Sequence, residues 1–202
     1  MRITSIITAR QNSTRLPNKA LVDICGKPLI LRTIEGVRQS QLIDKVVIST
    51  TEDSVGIIEL CKKNNVSYSI SPEGDILNAL YKAARENKAD IIVRVWGDCP
   101  IINPEIIDET IAHSLKSGYQ YTYSKNHPVG QTVAVIPIQT LIHAWYTIKA
   151  AEHRRWIHKY FVEQYSDYVV GVCYSKVGNP NLNYTVDTQD DLNRIRQICS
   201  GK

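Results

Sequence analysis

The segment from Thr8 to Lys19 combines side chains that could bind a polyanion. It contains no acidic residue, and its phosphate-binding candidates are Arg10, Ser13, Thr14, Arg15 and Lys19. Because it follows directly on the apolar run Ile3–Ile7, we expect it to be the loop after a first strand. Cations and backbone amides in such a loop can neutralise a leaving pyrophosphate. The pattern favours a nucleoside triphosphate site, although a solvated basic loop has the same composition. Its spacing is not that of a Walker A loop.

A first acidic candidate, Asp98, follows the strand-like run Asp90–Trp96 behind Gly97. A glycine there lets the backbone turn and presents the carboxylate at the strand end. Magnesium prefers a few carboxylates together with substrate phosphates, so Asp98 is a candidate ligand. The alternative is a simple turn or helix cap, a common use of aspartate.

A second acidic candidate, Asp187, lies in the β-like segment Tyr184–Thr188. Thr188 and Asp191 occupy capping-box positions for the helix that follows. The cap is therefore assigned to Thr188, which leaves Asp187 available for a metal. Two such carboxylates meeting at strand ends would form a divalent-metal site.

The elements around these residues alternate between strand and helix, which predicts parallel strands joined by right-handed crossovers. The fold class is therefore α/β, with a doubly wound, mostly parallel, Rossmann-like sheet and ligands at the carboxyl ends of its strands. The predicted strands are Ile3–Thr8, Lys45–Ser49, Val66–Ile70 and Asp90–Trp96. The predicted helix starts are Lys27-Pro28, Asp53, Asp75 and Asn103-Pro104.

The pattern becomes less regular and richer in tyrosine after Gly118. We interpret residues from about 119 to 175 as a small inserted lobe for acceptor binding or dimerisation. No linker or repeat divides the chain, so residues 1–202 are predicted to form a single domain.

Composition narrows the classes of partner. The chain has 202 residues and a net charge of +4, with basic residues spread along it. This favours a small anionic substrate and argues against nucleic acid. Five cysteines without a Cys-x-x-Cys pair indicate reduced thiols, and neither a signal peptide nor a membrane span is evident. The expected location is the cytoplasm.

Taken together, the motifs resemble the cytidylyltransferases that make CMP-activated acidic sugars. The resemblance is to the spore-coat-polysaccharide branch, and to the CMP-ketodeoxyoctonate and CMP-acylneuraminate synthetases. It covers roughly the whole chain. The segments that carry it are Ala9–Lys19 with Gly26–Leu29, Leu42–Thr51 with Asp53, Val93–Pro100 with Asn103–Asp108, and Thr185–Asp187 with Asp190–Leu192.

The resemblance implies a nucleotide-diphospho-sugar-transferase type of fold and transfer of CMP from CTP to an acidic sugar. It implies catalytic roles for Arg10, Lys19 and Asp98, and Mg²⁺ ligation by Asp98 and Asp187. The implied nucleotide-binding residues are Ala9, Arg10, Ser13, Arg15, Lys19, Asp75, Asn78, Arg94 and Trp96, with Arg94 and Trp96 beside the base. A homodimer is also implied.

Departures from the family pattern leave alternatives open. Relatives usually have glycine at Asn12 and Asn18, which could alter phosphate binding. The region after Gly118 is shorter, and the Glu152–Arg155 cluster is either an acceptor site or structural. The alternatives are a nucleotidyltransferase using a phosphorylated or phosphonate acceptor or another nucleotide, and a nucleotide-binding homologue without turnover.

Overall fold

The computed structural model describes residues 1–164, 168–174 and 179–201, and a seven-stranded sheet forms the centre of that part. The strands are β1 (Ile3–Thr8), β2 (Asp23–Ile24), β3 (Lys27–Pro28), β4 (Lys45–Thr50), β5 (Ser67–Ile70), β6 (Ile91–Trp96), β7 (Tyr121–Lys125), β8 (Ala134–Pro137) and β9 (Val170–Tyr174). The α-helices are α1 (Leu29–Val37), α2 (Val55–Lys63), α3 (Ile76–Glu86), α4 (Pro104–Ser117), α5 (Ile138–Thr147), α6 (Ala151–Arg155), α7 (Ile157–Lys159) and α8 (Gln189–Cys199). A 3₁₀ turn covers Lys19–Leu21 and a π-helical turn covers Tyr160–Gln164.

The strand order is β5-β4-β1-β6-β8-β7-β9. The first four strands in this order are mutually parallel, whereas β8 runs antiparallel to both β6 and β7, and β9 is parallel to β7. The predicted α/β fold with a mostly parallel sheet is thus confirmed. Strands β7 to β9, from the predicted lobe, extend this same sheet. The division into a domain with an inserted lobe stays a prediction.

Helices cover both faces of the sheet, as the apolar character of its inner strands requires. Successive side chains of β1 point to opposite faces, so Ile7 packs in one apolar cluster and Ile6 in the other. The cluster around Ile7 includes Ile34 of α1, and the cluster around Ile6 includes Leu80 of α3. Both faces of the parallel half are therefore fixed by burial.

A third, smaller apolar cluster connects the basic loop to the carboxyl-terminal helix. Leu16 of the loop packs with Leu29 of α1, with Val186, and with Ile195 of α8. This cluster holds the segment that carries Asp187 beside the loop. It thereby brings two distant parts of the sequence to one edge of the sheet.

Three helices begin at the capping residues that the sequence predicts. Asp75 caps α3, its carboxylate accepting from the amide of Asn78 at 2.8 Å. Asn103 caps α4 ahead of Pro104, and Thr188 forms a capping box with Asp191 at the start of α8. These three helix starts are confirmed.

Three local predictions are wrong. Asp53 does not cap α2: the N-cap is Ser54, and Asp53 accepts a hydrogen bond from the side chain of Asn12. Lys27-Pro28 pairs in the short β2–β3 hairpin, so α1 begins only at Leu29. The stretch from 184 to 188 is irregular, with only a bridge between Val129 and Asn183 beside it in the described chain. None of the described helices combines the length and apolarity needed to cross a bilayer.

Candidate active site

A cleft of about 670 Å³ opens at the carboxyl edge of β1, β4 and β6. The loop after β1 forms one wall, and the segment 71–76 with α6 forms the other. All but one of the predicted site residues line this cleft, namely Ala9, Arg10, Ser13, Arg15, Lys19, Asp75, Arg94, Trp96, Asp98 and Asp187. The exception is Asn78, whose side-chain oxygen accepts from the indole nitrogen of Trp145 at 3.2 Å. Its predicted nucleotide contact therefore has no support in the geometry.

Lys19 joins the two predicted metal ligands. Its ammonium lies 3.0 Å from Oδ2 of Asp98 and 2.8 Å from Oδ1 of Asp187. Arg15 also contacts Oδ1 of Asp187, at 2.9 Å. Burial by itself lowers the pKa of Lys19, but the two carboxylates outweigh that effect and raise it overall. The ammonium thus remains charged and binds both acids at once.

Backbone geometry explains why these carboxylates meet. A Cβ on Gly97 would lie 2.7 Å from both Ala9 Cβ and the carbonyl oxygen of Thr8, so glycine permits the ends of β1 and β6 to approach. Gly97 lies in a turn, as the sequence predicts, but its φ is not positive, so the turn alone does not require a glycine. Close approach is its function, and it sets Asp98 directly beside the basic loop.

The position of Asp187 is fixed by hydrogen bonds on both sides. The amide of Val186 donates to the carbonyl of Asp98 at 3.0 Å, which joins the two acidic segments through their backbones. The amide of Asp187 donates to Oδ2 of Asp191 at 3.0 Å, within the capping network of α8. Asp187 is therefore held next to Asp98 by the fold and not by Lys19 alone.

The basic loop is tied to the start of α2. The backbone amide of Gln11 donates to Oγ of Ser54 at 3.0 Å, and the side-chain oxygen of Gln11 accepts from the amide of Gly56 at 2.9 Å. The side-chain nitrogen of Gln11 reaches Asn18 at 3.1 Å. Asn18 has the left-handed φ of 55° that a glycine would adopt readily, whereas Asn12 has no positive φ. Asparagine therefore preserves the backbone shape at the position that needs it.

Two further cations have acidic partners in the segment 71–76. Arg10 forms an ion pair with Glu73. Arg154 donates from Nε to Asp75 at 2.8 Å and from Nη1 to the carbonyl of Ile148 at 2.9 Å. Asp75 is thus committed to a cap and an ion pair, and Arg154 has a structural function. Of the Glu152–Arg155 cluster, Arg155 is the residue that lines the cleft.

Sequence reasoning missed Glu73 and Trp156. Glu73 lies two residues before Asp75, and no sequence pattern indicated its pairing with Arg10. Trp156 is 57% exposed and lines the cleft, which no sequence pattern indicated. Cys99, beside Asp98, is buried, and burial raises the pKa of its thiol, which favours a structural function over a nucleophilic one.

The donor set suits a hard divalent ion that also binds phosphate. No group of three or more His, Cys, Asp or Glu residues in the described ranges is arranged to hold a metal. Asp98 and Asp187 nevertheless present two carboxylates to the same cation, the ammonium of Lys19. Two carboxylates plus phosphate oxygens and water are a common ligand set for Mg²⁺, so the residues present fit such an ion.

Comparison with known proteins assigns this chain to a family. Residues 4–201 match the family model for cytidylyltransferases. The chain belongs to the cytidylyltransferase family. The predicted class of enzyme, a CTP-dependent nucleotidyltransferase, is confirmed at the level of that family.

Three curated relatives are similar in sequence. An uncharacterised protein, MJ1063 of Methanocaldococcus jannaschii, is 31% identical over 81% of this chain and 68% of its own. The spore coat polysaccharide biosynthesis protein SpsF of Bacillus subtilis is 29% identical over 97% and 85%. A 3-deoxy-manno-octulosonate cytidylyltransferase of Geobacter metallireducens is 38% identical over 55% of this chain and 44% of its own. The match to this last relative thus spans less than half of its length.

Solved structures share the fold. A cytidylyltransferase of Leptospira borgpetersenii superposes with a TM-score of 0.93 at 24% identity, covering 100% of this chain and 88% of the other. A CMP:2-keto-3-deoxy-manno-octonic acid synthetase in complex with CTP gives 0.80 at 15% identity, covering 100% and 99%. Rv0371c of Mycobacterium tuberculosis, in complex with manganese, gives 0.71 at 13%, covering 98% and 99%.

Proposed function

We propose that this protein transfers CMP from CTP to an acidic sugar and releases pyrophosphate. The observation that carries the proposal is the convergence of Lys19 with Asp98 and Asp187, which lie 79 and 168 residues from it in sequence. The 3-deoxy-manno-octulosonate cytidylyltransferase and the synthetase in complex with CTP support CTP as donor and an acidic sugar as acceptor, and SpsF supports a place in polysaccharide biosynthesis.

The basic loop would bind the triphosphate. Lys19 and Arg15 already contact carboxylate oxygens, so they can exchange those contacts for phosphate oxygens without a rearrangement of the backbone. Arg10 would exchange Glu73 for phosphate in the same way. Ser13 lines the cleft and offers a hydroxyl donor, and Ala9 leaves room for the nucleotide beside Gly97. These contacts align the α-phosphorus with the incoming hydroxyl, which is the main contribution of protein in phosphoryl transfer.

The reaction needs no covalent intermediate on the protein. An oxygen of the acceptor hydroxyl bonds to the α-phosphorus, and the bond to the β-phosphate oxygen breaks. The leaving pyrophosphate takes the electron pair, and the hydroxyl proton passes to water. Asp98 and Asp187 would hold Mg²⁺ or Mn²⁺, which supplies charge neutralisation at the phosphates when bound. A related fold in complex with manganese supports use of a divalent ion.

A product screen tests this function. Purified protein is incubated with each of four nucleoside triphosphates, Mg²⁺ or Mn²⁺, and a panel of sugar acids, sugar phosphates and phosphonates. We expect pyrophosphate release and a CMP–sugar acid by mass spectrometry, with CTP preferred. A phosphorylated product or another preferred nucleotide would replace this function with the corresponding transferase. No product with any pair, despite CTP binding, would indicate a binding protein without turnover.

Two further expectations belong to the same proposal. A homodimer is implied by the family resemblance, and light scattering of the purified protein measures it directly. A cytoplasmic location fits a CTP-dependent enzyme, and fractionation of the source cells checks it.

A further inference from the structure

Arg94 stands out as a buried cation that forms no ion pair with any of the described residues. It lies in β6 opposite Ile6 of β1 and Ala134 of β8, at the border where the sheet changes from parallel to antiparallel pairing. Only 5% of the residue is exposed, and both register partners are fully buried. Among the described residues, no hydrogen bond or ion pair reaches its guanidinium, and its Nε is buried without an acceptor. The side chain still lines the cleft.

The immediate neighbours of Arg94 supply no negative charge. Its guanidinium lies 4.4 Å from the ring centroid of Trp96, a cation–π contact. Tyr121 and His158 lie nearby and hydrogen-bond each other at 2.9 Å. Burial raises the pKa of Tyr121, and burial together with the charge of Arg94 lowers the pKa of His158. Both are therefore neutral at neutral pH.

The carboxylate that interacts with Arg94 is already engaged by another cation. Asp98 interacts electrostatically with Arg94, but its Oδ2 binds the ammonium of Lys19. Burial lowers the pKa of Arg94, yet a guanidinium remains protonated in proteins. A charge held in this way costs stability unless a ligand compensates it. An anion that enters through the cleft would compensate the charge of Arg94.

We propose that Arg94 binds the carboxylate of the acceptor sugar and makes the enzyme selective for acids. This inference rests on the proposed function and goes beyond it by assigning one residue to substrate choice. The triphosphate has its own cations, Arg10, Arg15 and Lys19, in the loop that forms one wall of the cleft. The cytosine base is neutral and cannot compensate the charge. Arg94 thus serves the acceptor and not the base, which revises the expectation from the sequence.

Equilibrium binding separates these assignments without turnover. Wild-type protein, Arg94→Met and the exposed control Arg85→Met are saturated with Mg²⁺ and a non-hydrolysable α,β-methylene analogue of CTP. Calorimetry then measures binding of 3-deoxy-manno-octulosonate, N-acetylneuraminate and glucuronate, each beside its methyl ester. We expect wild type and Arg85→Met to bind at least one acid about 30-fold more tightly than its ester, as a charged hydrogen bond predicts.

Arg94→Met should lose that preference to within about threefold while its affinity for the CTP analogue stays within about twofold. Its melting temperature without ligand should equal or exceed that of wild type, because an uncompensated buried charge is removed. Should Arg94→Met fail to fold, Arg94→Lys keeps a cation but loses the planar fork, and its acid preference should fall about tenfold.

Several results would overturn the inference. If Arg94→Met lost as much affinity for the CTP analogue as for the acid, Arg94 would be assigned to the nucleotide. No acid preference in wild type, or a full preference in Arg94→Met or Arg94→Lys, would remove the acceptor assignment. The proposed function fails separately: acid-selective binding through Arg94 without pyrophosphate release from CTP would leave this inference standing. CMP transfer by wild type, together with an unchanged preference for acids in Arg94→Met, would refute this inference and leave the proposed function standing.

Discussion

The loop wall of the cleft is formed by residues 8–19, and its strand floor is formed by β6. At the loop wall each candidate charge has an ionic partner, whereas at the strand floor Arg94 has none among the described residues. Lys19 contacts two carboxylates at 3.0 and 2.8 Å, and Arg15 contacts one of them at 2.9 Å. Because its charges are paired, the loop wall costs little stability when no ligand is bound. A ligand that binds there replaces the existing ionic contacts with new ones. An unpaired buried cation instead reduces stability until its ligand arrives. The two regions should therefore respond differently to charge removal.

The largest expected effect is on Asp98. Asp98→Asn keeps the shape of the side chain but removes half of the carboxylate pair, so kcat should fall at least about 1,000-fold. The fold should persist, since Val186 bonds the backbone of Asp98 and not its side chain. Steady-state kinetics and circular dichroism measure both. Asp190→Asn, an exposed control on the neighbouring helix, should behave as wild type. Near-normal turnover in Asp98→Asn would refute the metal assignment.

The second effect concerns Lys19. Lys19→Ala removes a charged donor to phosphate, so kcat/KM for CTP should fall about 30- to 100-fold. The affinity for Mn²⁺ without nucleotide should be unchanged or higher, because the variant lacks the ammonium that contacts both aspartates in wild type. Electron paramagnetic resonance measures free Mn²⁺ in that titration. The exposed Lys116→Ala is the matched control. Unchanged kinetics with CTP would contradict the function assigned to the loop.

A smaller effect is expected from Gln11, which ties the loop to α2. Gln11→Ala removes the contacts to Gly56 and Asn18, so the loop should be less ordered before CTP binds. KM for CTP should rise roughly five- to tenfold with little change in kcat, as a loss of preorganisation predicts. The exposed Gln39→Ala serves as control. A fall in kcat with unchanged KM would point instead to a direct catalytic contact.

The smallest effect is on Asp191, the residue that caps α8 and holds the amide of Asp187. Burial would raise its pKa, but hydrogen bonds from Arg194, Thr188 and the backbone outweigh burial and lower it from 3.8 to about 2. Asp191→Asn should therefore reduce the free energy of unfolding by about 1 kcal/mol at neutral pH.

The pH dependence of that loss has a defined sign. Because the folded pKa lies below the unfolded one, the contribution is present above pH 3.8 and is lost as the pH falls towards about 2. Urea denaturation of wild type and Asp191→Asn should converge over that range, with Asp190→Asn as control. A difference that is constant from pH 7 to pH 2 would show that the carboxylate charge is not responsible.

How much the sequence could predict also differs between these regions. Local patterns located the loop wall: an apolar strand, a basic loop, and aspartates beside buried segments, with parallel strands bringing their carboxyl ends to one edge. The capping box at Thr188 correctly left Asp187 free. The irregular backbone of residues 184–188 was not predicted, since its position depends on a hydrogen bond from Val186 to Asp98.

The strand floor was less accessible to sequence reasoning. Arg94 was expected beside the base, but its isolation depends on which residues surround it, and these come from distant strands and helices. Asp75 and Asn78 were assigned to the nucleotide, yet Asp75 pairs with Arg154 and Asn78 accepts a hydrogen bond from Trp145. Trp156 lies on the cleft because of the short helices α6 and α7, whose breaks no periodicity indicated. Contacts between remote elements leave no local signal.

The central claim is that Asp98 and Asp187 hold one divalent ion beneath the basic loop. Anomalous diffraction from a crystal grown with CTP and Mn²⁺ tests it most directly. We predict a single manganese peak coordinated by an oxygen of each carboxylate and by phosphate oxygens, with Lys19 moved from the aspartates to the triphosphate. A manganese ion that contacts neither carboxylate, with Lys19 still bound to both, would contradict the account.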